Sequence, residues 1–290
     1  MIGPEAIASS LIAGVLLGGM FALSAVGLSL VLGVLRLVNL AHGEFLLVGA
    51  YAGFYLLAIA GIDPLLGLPL IAAGLALAAA PVYRYLIAPL ASRGAEAPMM
   101  TMFGVSIVLQ NLFLIGFHAD TRSIETRYST AALSLGPVSV GWIYVVGFAI
   151  SAVAVALIHL LVTRTAFGRD LRASAEDPTA AAIVGVNVRR IHMLTFALGA
   201  ACAGAGGTLS GLAFSFTPSS GASYLLNSFA VVVLGGLGSV LGTLIAGITI
   251  GVLQSLGGVL FGDGYRDAVA LVLFLVVLTV RPHGFLATRR

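Results

Sequence analysis

Four polar side chains crowd the stretch Arg36-Leu-Val-Asn39-Leu-Ala-His42-Gly-Glu44, with apolar runs on either side. A guanidinium, an amide, an imidazole and a carboxylate at this spacing could do ionic and proton chemistry. Such groups are costly at membrane depth, where they pair with one another or serve a function. Arg36 and Glu44 are candidates for a pair, with Asn39 and His42 between them. Two readings stay open: a gate or path wall, or a plain turn with solvated charges and His42 ending a helix. Four amides, Gln110, Asn111, Asn227 and Gln254, also lie in otherwise apolar runs. They could meet a polar solute or bond across helices as structural glue. Gln110 and Asn227 join Arg36, Asn39, His42 and Glu44 as candidates for a gate or path.

Other chemistry is excluded by residue type. All 14 basic residues are Arg. Without Lys there is no P-loop to grip nucleotide phosphates and no amine for a Schiff base. The single Cys202 permits no internal disulfide and no multi-Cys metal site, and the five histidines are dispersed. No H-E-x-x-H run is present, so no catalytic, cofactor-binding or metal residues are expected. The net charge of +3 reflects loop arginines rather than a nucleic-acid surface.

The most polar interval is TRTAFGRDLRASAEDPTAAAIVGVNVRRI (163–191). Asp177 can cap a helix that starts at Pro178. The Ala-rich run then reads as a short helix, ended near Gly185 and Asn187, both suited to a left-handed C-cap. Flanked by Arg on both sides, it is either a surface linker anchored to anionic lipid or a docking element for a soluble subunit.

The elements that must position these groups follow from where charge is missing. Between Arg190 and Asp263 lie 72 residues without Asp, Glu, Lys or Arg, and shorter gaps recur along the chain. About 20 apolar residues cross a bilayer as a helix, and the runs are continuous rather than alternating. The expected fold is an all-α polytopic membrane protein, residues 1–290 forming one integral membrane domain with a loop at about 164–190 on one face. Placing 36–44 in the cytoplasm puts 11 arginines inside and 3 outside, as the positive-inside rule requires. That orientation leaves the N-terminus outside and the C-terminus inside. The long uncharged stretch must then cross an odd number of times, with breaks at FTPSSGAS (216–223) and LGGLGSVLG (234–242). The piece between them suits a half-helix. The count is about nine crossings, or seven plus a re-entrant pair. Gly14–Gly18, Gly199 to Gly207 and Gly235 to Gly251 read as close-packing glycines.

Four segments in order, LSLVLGVLRLVNLAHGEFLLVGAY (28–51), TAFGRDLRASAEDPTAAAIVGVNV (165–188), VVVLGGLGSVLGTLIAG (231–247) and RPHGF (281–285), resemble the permease subunit of the branched-chain amino-acid ABC importer family. The resemblance implies an importer in the bacterial inner membrane, made of two permeases, two cytoplasmic ATPases and a periplasmic binding protein. The chain would catalyse no covalent step. Its loop would couple to an ATPase through Glu176, Asp177, Ala181, Ala182, Gly185 and Asn187, with Gly185 allowing close backbone contact or a sharp turn. Cargo would be branched-chain or related hydrophobic amino acids, or urea and short-chain amides as in related importers. A stand-alone secondary transporter is disfavoured, because that class usually needs an acidic residue deep in a span and the charge-free gaps hold none.

Overall fold

The computed structural model describes residues 4–94, 96–129, 131–135 and 138–280. Eleven helices account for most of them: α1 (Pro4–Leu35), α2 (His42–Ala60), α3 (Pro64–Val82, running into a π turn at Tyr83–Ile87), α4 (Glu96–Phe117), α5 (Trp142–Arg164), α6 (Ala166–Glu176), α7 (Pro178–Ile183), α8 (Val188–Ala213), α9 (Gly221–Gly235), α10 (Val240–Phe261) and α11 (Arg266–Val280). Seven of these, α1 to α5, α8 and α10, are long and apolar enough to cross a membrane. The RPHGF segment lies outside the described residues.

Helix ends fall where the local chemistry places them. Asp63 caps α3, its carboxylate accepting from the Leu65 amide at 2.8 Å, with Pro64 in the first turn. Gly61 closes α2 at φ +64°. Gly236 and Gly238, both at positive φ, make the turn between α9 and α10. Both expected breaks in the uncharged stretch are present, and α9 between them has only 15 residues. At 1.5 Å per residue it is about 22 Å long, short of the roughly 30 Å hydrocarbon core.

The segment after α4 is not a plain loop. It carries an antiparallel hairpin, β1 (Ala132–Leu135) and β2 (Val138–Gly141). Its earlier part is laced to the α8–α9 connection, because Arg122 and Phe216 exchange backbone hydrogen bonds at 2.9 and 2.8 Å. Tyr128 donates to the Asp63 carboxylate at 2.7 Å. Burial, then that acceptor, hold the Tyr128 phenol above its ordinary pKa.

The centre of the molecule is α1, and glycine brings its neighbours against it. A Cβ on Gly18 would lie 2.4 Å from the Ile248 Cα on α10, and one on Gly27 2.4 Å from the Gly199 carbonyl on α8. Gly14 meets Val252 and Gly33 meets Gly238 in the same way. Lipid supplies no hydrophobic force between helices, so close backbone approach and dispersion must hold them. α4 is the opposite case: only 11% of its most apolar 18-residue window is buried, against 78% for α1.

Gly18→Ala should therefore destabilise the detergent-purified protein by about 1–3 kcal/mol through overpacking. Gly74→Ala, where a Cβ meets nothing within 4 Å, should be neutral or slightly stabilising. Thermal unfolding of the two variants side by side checks this.

Candidate functional site

Two places in the fold carry the polar chemistry. The first is the arm of α6 and α7. Thr165 caps α6 through the Gly168 amide, and Gly168 sits so close to the last turn of α5 that a Cβ there would meet the Val162 carbonyl at 2.1 Å. Arg172 donates to the same carbonyl. The arm is thus tied to α5. Asp177 ends α6 and caps α7, accepting from the amides of Thr179 at 2.8 Å and Ala180 at 3.1 Å. Gly185 then turns the chain at φ +93°, and a Cβ on it would meet nothing within 4 Å. Its role is conformational rather than one of close contact within the chain. Asn187 is not a left-handed C-cap: at φ −79° it caps α8, accepting from the Arg190 amide at 3.0 Å.

The arm ends in exposed apolar side chains. Ile183 is 82% and Val184 78% exposed, beside exposed Ala182, Glu176 and Asp177. Ala181 instead faces inward at 3%, its carbonyl accepting from the Val186 amide at 3.0 Å. The two alanines therefore do different work. Motif spacing does not single out Ile183 and Val184; a helical-wheel reading with Ala181 placed inward would have found them.

The second place lies at the start of α2. The chain leaves α1 at Arg36, which takes a left-handed φ of +52°, and doubles back without helical structure as far as Ala41. His42 Nε2 then sits 2.9 Å from the Ser24 carbonyl. Ser24 is eleven residues before the end of α1, about 16 Å back along that helix. So α2 begins alongside the middle of α1. Asn39 turns the chain there: its Oδ1 accepts from the Ala41 amide at 3.1 Å and its carbonyl from the His42 amide at 3.2 Å.

The start of α9 comes to the same level. A Cβ on Gly43 would lie 1.9 Å from the Gly221 carbonyl, and one on Gly221 would lie 2.2 Å from Glu44 Oε2. Neither Ala41 ahead of α2 nor Ser220 ahead of α9 caps its helix with a side chain. Glu44, 5% exposed, accepts from Ser106 of α4 at 3.2 Å through Oε1; Oε2 is buried with no partner. The hydroxyls of Tyr51, two turns further along α2, and Tyr224, one turn into α9, are likewise buried and unpartnered. Aromatic rings wall this region, Tyr51 stacking on Phe117 at 4.1 Å and meeting Phe216 edge-on at 5.1 Å.

The pair expected between Arg36 and Glu44 does not form. Arg36 is exposed and donates to the Ala175 carbonyl on α6 at 3.3 Å, while Glu44 is buried beside α4 and α9. The alternative of a solvated turn fails for Asn39, His42 and Glu44, all 5% exposed or less. Gln110 is half-buried on α4, one turn beyond Ser106. Asn227 is further off: it accepts from Gln254 at 3.1 Å in an apolar cleft of about 160 Å³ lined also by Ser223, Leu226 and Leu271. The amides of Asn227 and Gln254 thus satisfy each other, as structural glue does. Among the described residues no three His, Cys, Asp or Glu side chains come together to hold a metal.

Comparison with known proteins adds the wider setting. Residues 10–278 match the family described as the permease component of the branched-chain amino acid transport system. The high-affinity branched-chain amino acid transport system permease protein BraD of Pseudomonas aeruginosa is 32% identical, over 95% of this chain and 94% of its own. LivH of Escherichia coli, of the same description, is 30% identical over 94% of this chain and 93% of its own. A probable LivH from Methanocaldococcus jannaschii is 29% identical over 93% and 89%.

Removing the α7 cap by Asp177→Ala should cost about 0.5–2 kcal/mol of local stability. Amide exchange at Thr179 and Ala180 should accelerate by about 2- to 30-fold, with the helices around α1 unchanged. Hydrogen-exchange mass spectrometry of the wild type and the variant reads both regions at once.

Proposed function

The chain belongs to the branched-chain amino acid transport permease family, and from that premise we propose that it forms, with a second permease, the path of an ATP-driven importer for branched-chain or related hydrophobic amino acids. As a transport permease it is not an enzyme. Two cytoplasmic ATPases supply the energy and a periplasmic binding protein delivers cargo. The relatives' descriptions support the cargo class, and the absence of Lys supports hydrolysis on another chain.

The observation that carries the reading is the tip of α7. A six-residue helix, capped at its start and turned at its end by Gly185, presents Ile183 and Val184 to solvent. Exposed side by side on a polar arm, they suit burial in a groove of a soluble partner. Glu176 and Asp177 rim that contact, Ala182 allows close approach, and inward-facing Ala181 keeps α7 seated on its own chain.

The power stroke then has a physical route. α6 is joined to α5 through Gly168 and Arg172, and to α1 through the bond from Arg36 to the Ala175 carbonyl. Arg36 opens the segment that leads to Asn39, His42 and Glu44. Movement of the arm therefore reaches the start of α2 through bonded contacts. Contiguity of this kind supports coupling, and a change in coupling energy is its measure.

The same reading favours nine crossings, with the N-terminus outside and the C-terminus in the cytoplasm of the inner membrane. α8 leads outward, residues 214–220 return to mid-depth, and α9 completes the inward passage as a half-helix. α10 and α11 follow as a last pair. Irregular backbone is tolerated at that depth where protein surrounds it.

The double change Ile183→Asp with Val184→Asp puts charge into the docking contact. ATP-driven leucine uptake in reconstituted vesicles should fall at least tenfold and the ATPase should no longer co-purify, while the permease still inserts. Full uptake with the ATPase retained would overturn this assignment of α7.

A further inference from the structure

We propose that Glu44 and the open first turn of α9 bind the two charged ends of the transported amino acid, its ammonium on Glu44 Oε2 and its carboxylate on the backbone N–H groups of residues 221–223. The inference rests on the reading of the chain as an amino-acid permease and assigns the site within it.

Three independent observations converge. The first is an unpaired carboxylate. Glu44 is 5% exposed, one oxygen has no partner, and Arg36 is engaged elsewhere. Leaving such an oxygen buried and unsatisfied is costly, so its persistence points to a partner that arrives. The second is an open helix end. The first N–H groups of a helix have no partner within it. No side chain caps those of α9, because Ser220 instead accepts from the Thr217 amide at 2.9 Å. A half-helix N-terminus at mid-depth suits an anionic group through both its N–H groups and its dipole. The third is their juxtaposition: Gly221 has no Cβ, and the carboxylate lies where one would be.

An acceptor and an open donor set thus lie beside one another, and an α-amino acid carries its ammonium and carboxylate on one carbon. The hydroxyls of Tyr51 and Tyr224 are also buried without a partner. The site is closed in this conformation by α4, whose Ser106 holds the other oxygen of Glu44. α4 is also the least buried of the seven long helices, so its displacement uncovers Glu44 at small packing cost.

The test uses the intact wild-type transporter, purified with its second permease and ATPases but without the soluble binding protein. A hydrophobic carbodiimide labels membrane-buried carboxyl groups, and mass spectrometry of the peptide carrying Glu44 follows the reaction. L-leucine should slow labelling of Glu44 at least tenfold. 4-Methylpentanoate, which lacks the ammonium, should not protect, and 3-methylbutylamine, which lacks the carboxylate, should protect only at higher concentration. Glu44→Gln, assembled to wild-type yield, should lose at least tenfold in leucine affinity, and Gly74→Ala, where a Cβ meets nothing within 4 Å, should stay within about threefold. Leucine leaving the labelling unchanged, 4-methylpentanoate protecting equally, or Glu44 taking no label would each overturn the site. ATP-driven leucine uptake by the same preparation with its binding protein separates the two failures. Uptake without protection refutes this site alone, whereas no uptake of any branched-chain amino acid refutes the transport reading.

Discussion

Gly14, Gly18, Gly27 and Gly33 bring the backbone of α1 against α10, α8 and the α9–α10 turn with no side chain between them. The other structural features depend on that approach. In water, burial of apolar surface would drive helices together, but in lipid the alternative environment is equally apolar. What remains is dispersion between well-fitted surfaces, which weakens steeply with any gap. Packed this closely, α1 presents its middle to the chain that follows. The Ser24 carbonyl becomes a fixed acceptor for His42, and Gly206 of α8 lies against the same residue, where a Cβ would meet Ser24 Oγ at 2.4 Å.

From that anchor the irregular segments acquire their places. Residues 36–41 and 214–220 are non-helical runs that carry the chain to the starts of α2 and α9. Two helices begin beside one another in the interior because Gly43 and Gly221 let their backbones touch. Irregular backbone in such a place needs polar company. Asn39 supplies it for the first run through its side-chain and main-chain oxygens. In the second, the paired bonds of Phe216 with Arg122 and the hydroxyl of Ser220 do so.

Polar groups in this protein divide sharply into satisfied and unsatisfied ones. Asn227 and Gln254 bond each other, and Thr208 and Thr195 bond carbonyls of their own helix. Glu44, Tyr51 and Tyr224 keep an oxygen without a partner. Nearly all buried polar atoms in folded proteins are paired; the hydroxyls of Thr126, Ser151 and Ser174 are further exceptions, and Glu44 differs from these in being a carboxylate. The exposed Ile183 and Val184 are the apolar counterpart on the arm. We propose a small polar ligand for Glu44 and an apolar surface of another macromolecule for Ile183 and Val184.

Much was legible in the chain itself, because its signals are local. Charge-free runs of sufficient length dictate membrane helices, since unpaired backbone cannot face lipid. Asp177 before Pro178 dictates the start of α7, and turn formers mark the breaks around α9. Family membership was legible too, through motifs whose order spans the chain. What only the tertiary structure decided concerns residues far apart in sequence. Spacing put Arg36 and Glu44 together; the fold parts them, sending Arg36 to Ala175 and Glu44 to Ser106 and Gly221. Asn187 looked like the end of one helix and caps the next, because backbone angles, not residue type, choose between those roles. Ala181 and Ala182 are identical in type and differ in facing. Pairing between helices depends on which glycines meet across the interface, and nothing within a single run of sequence encodes that partner.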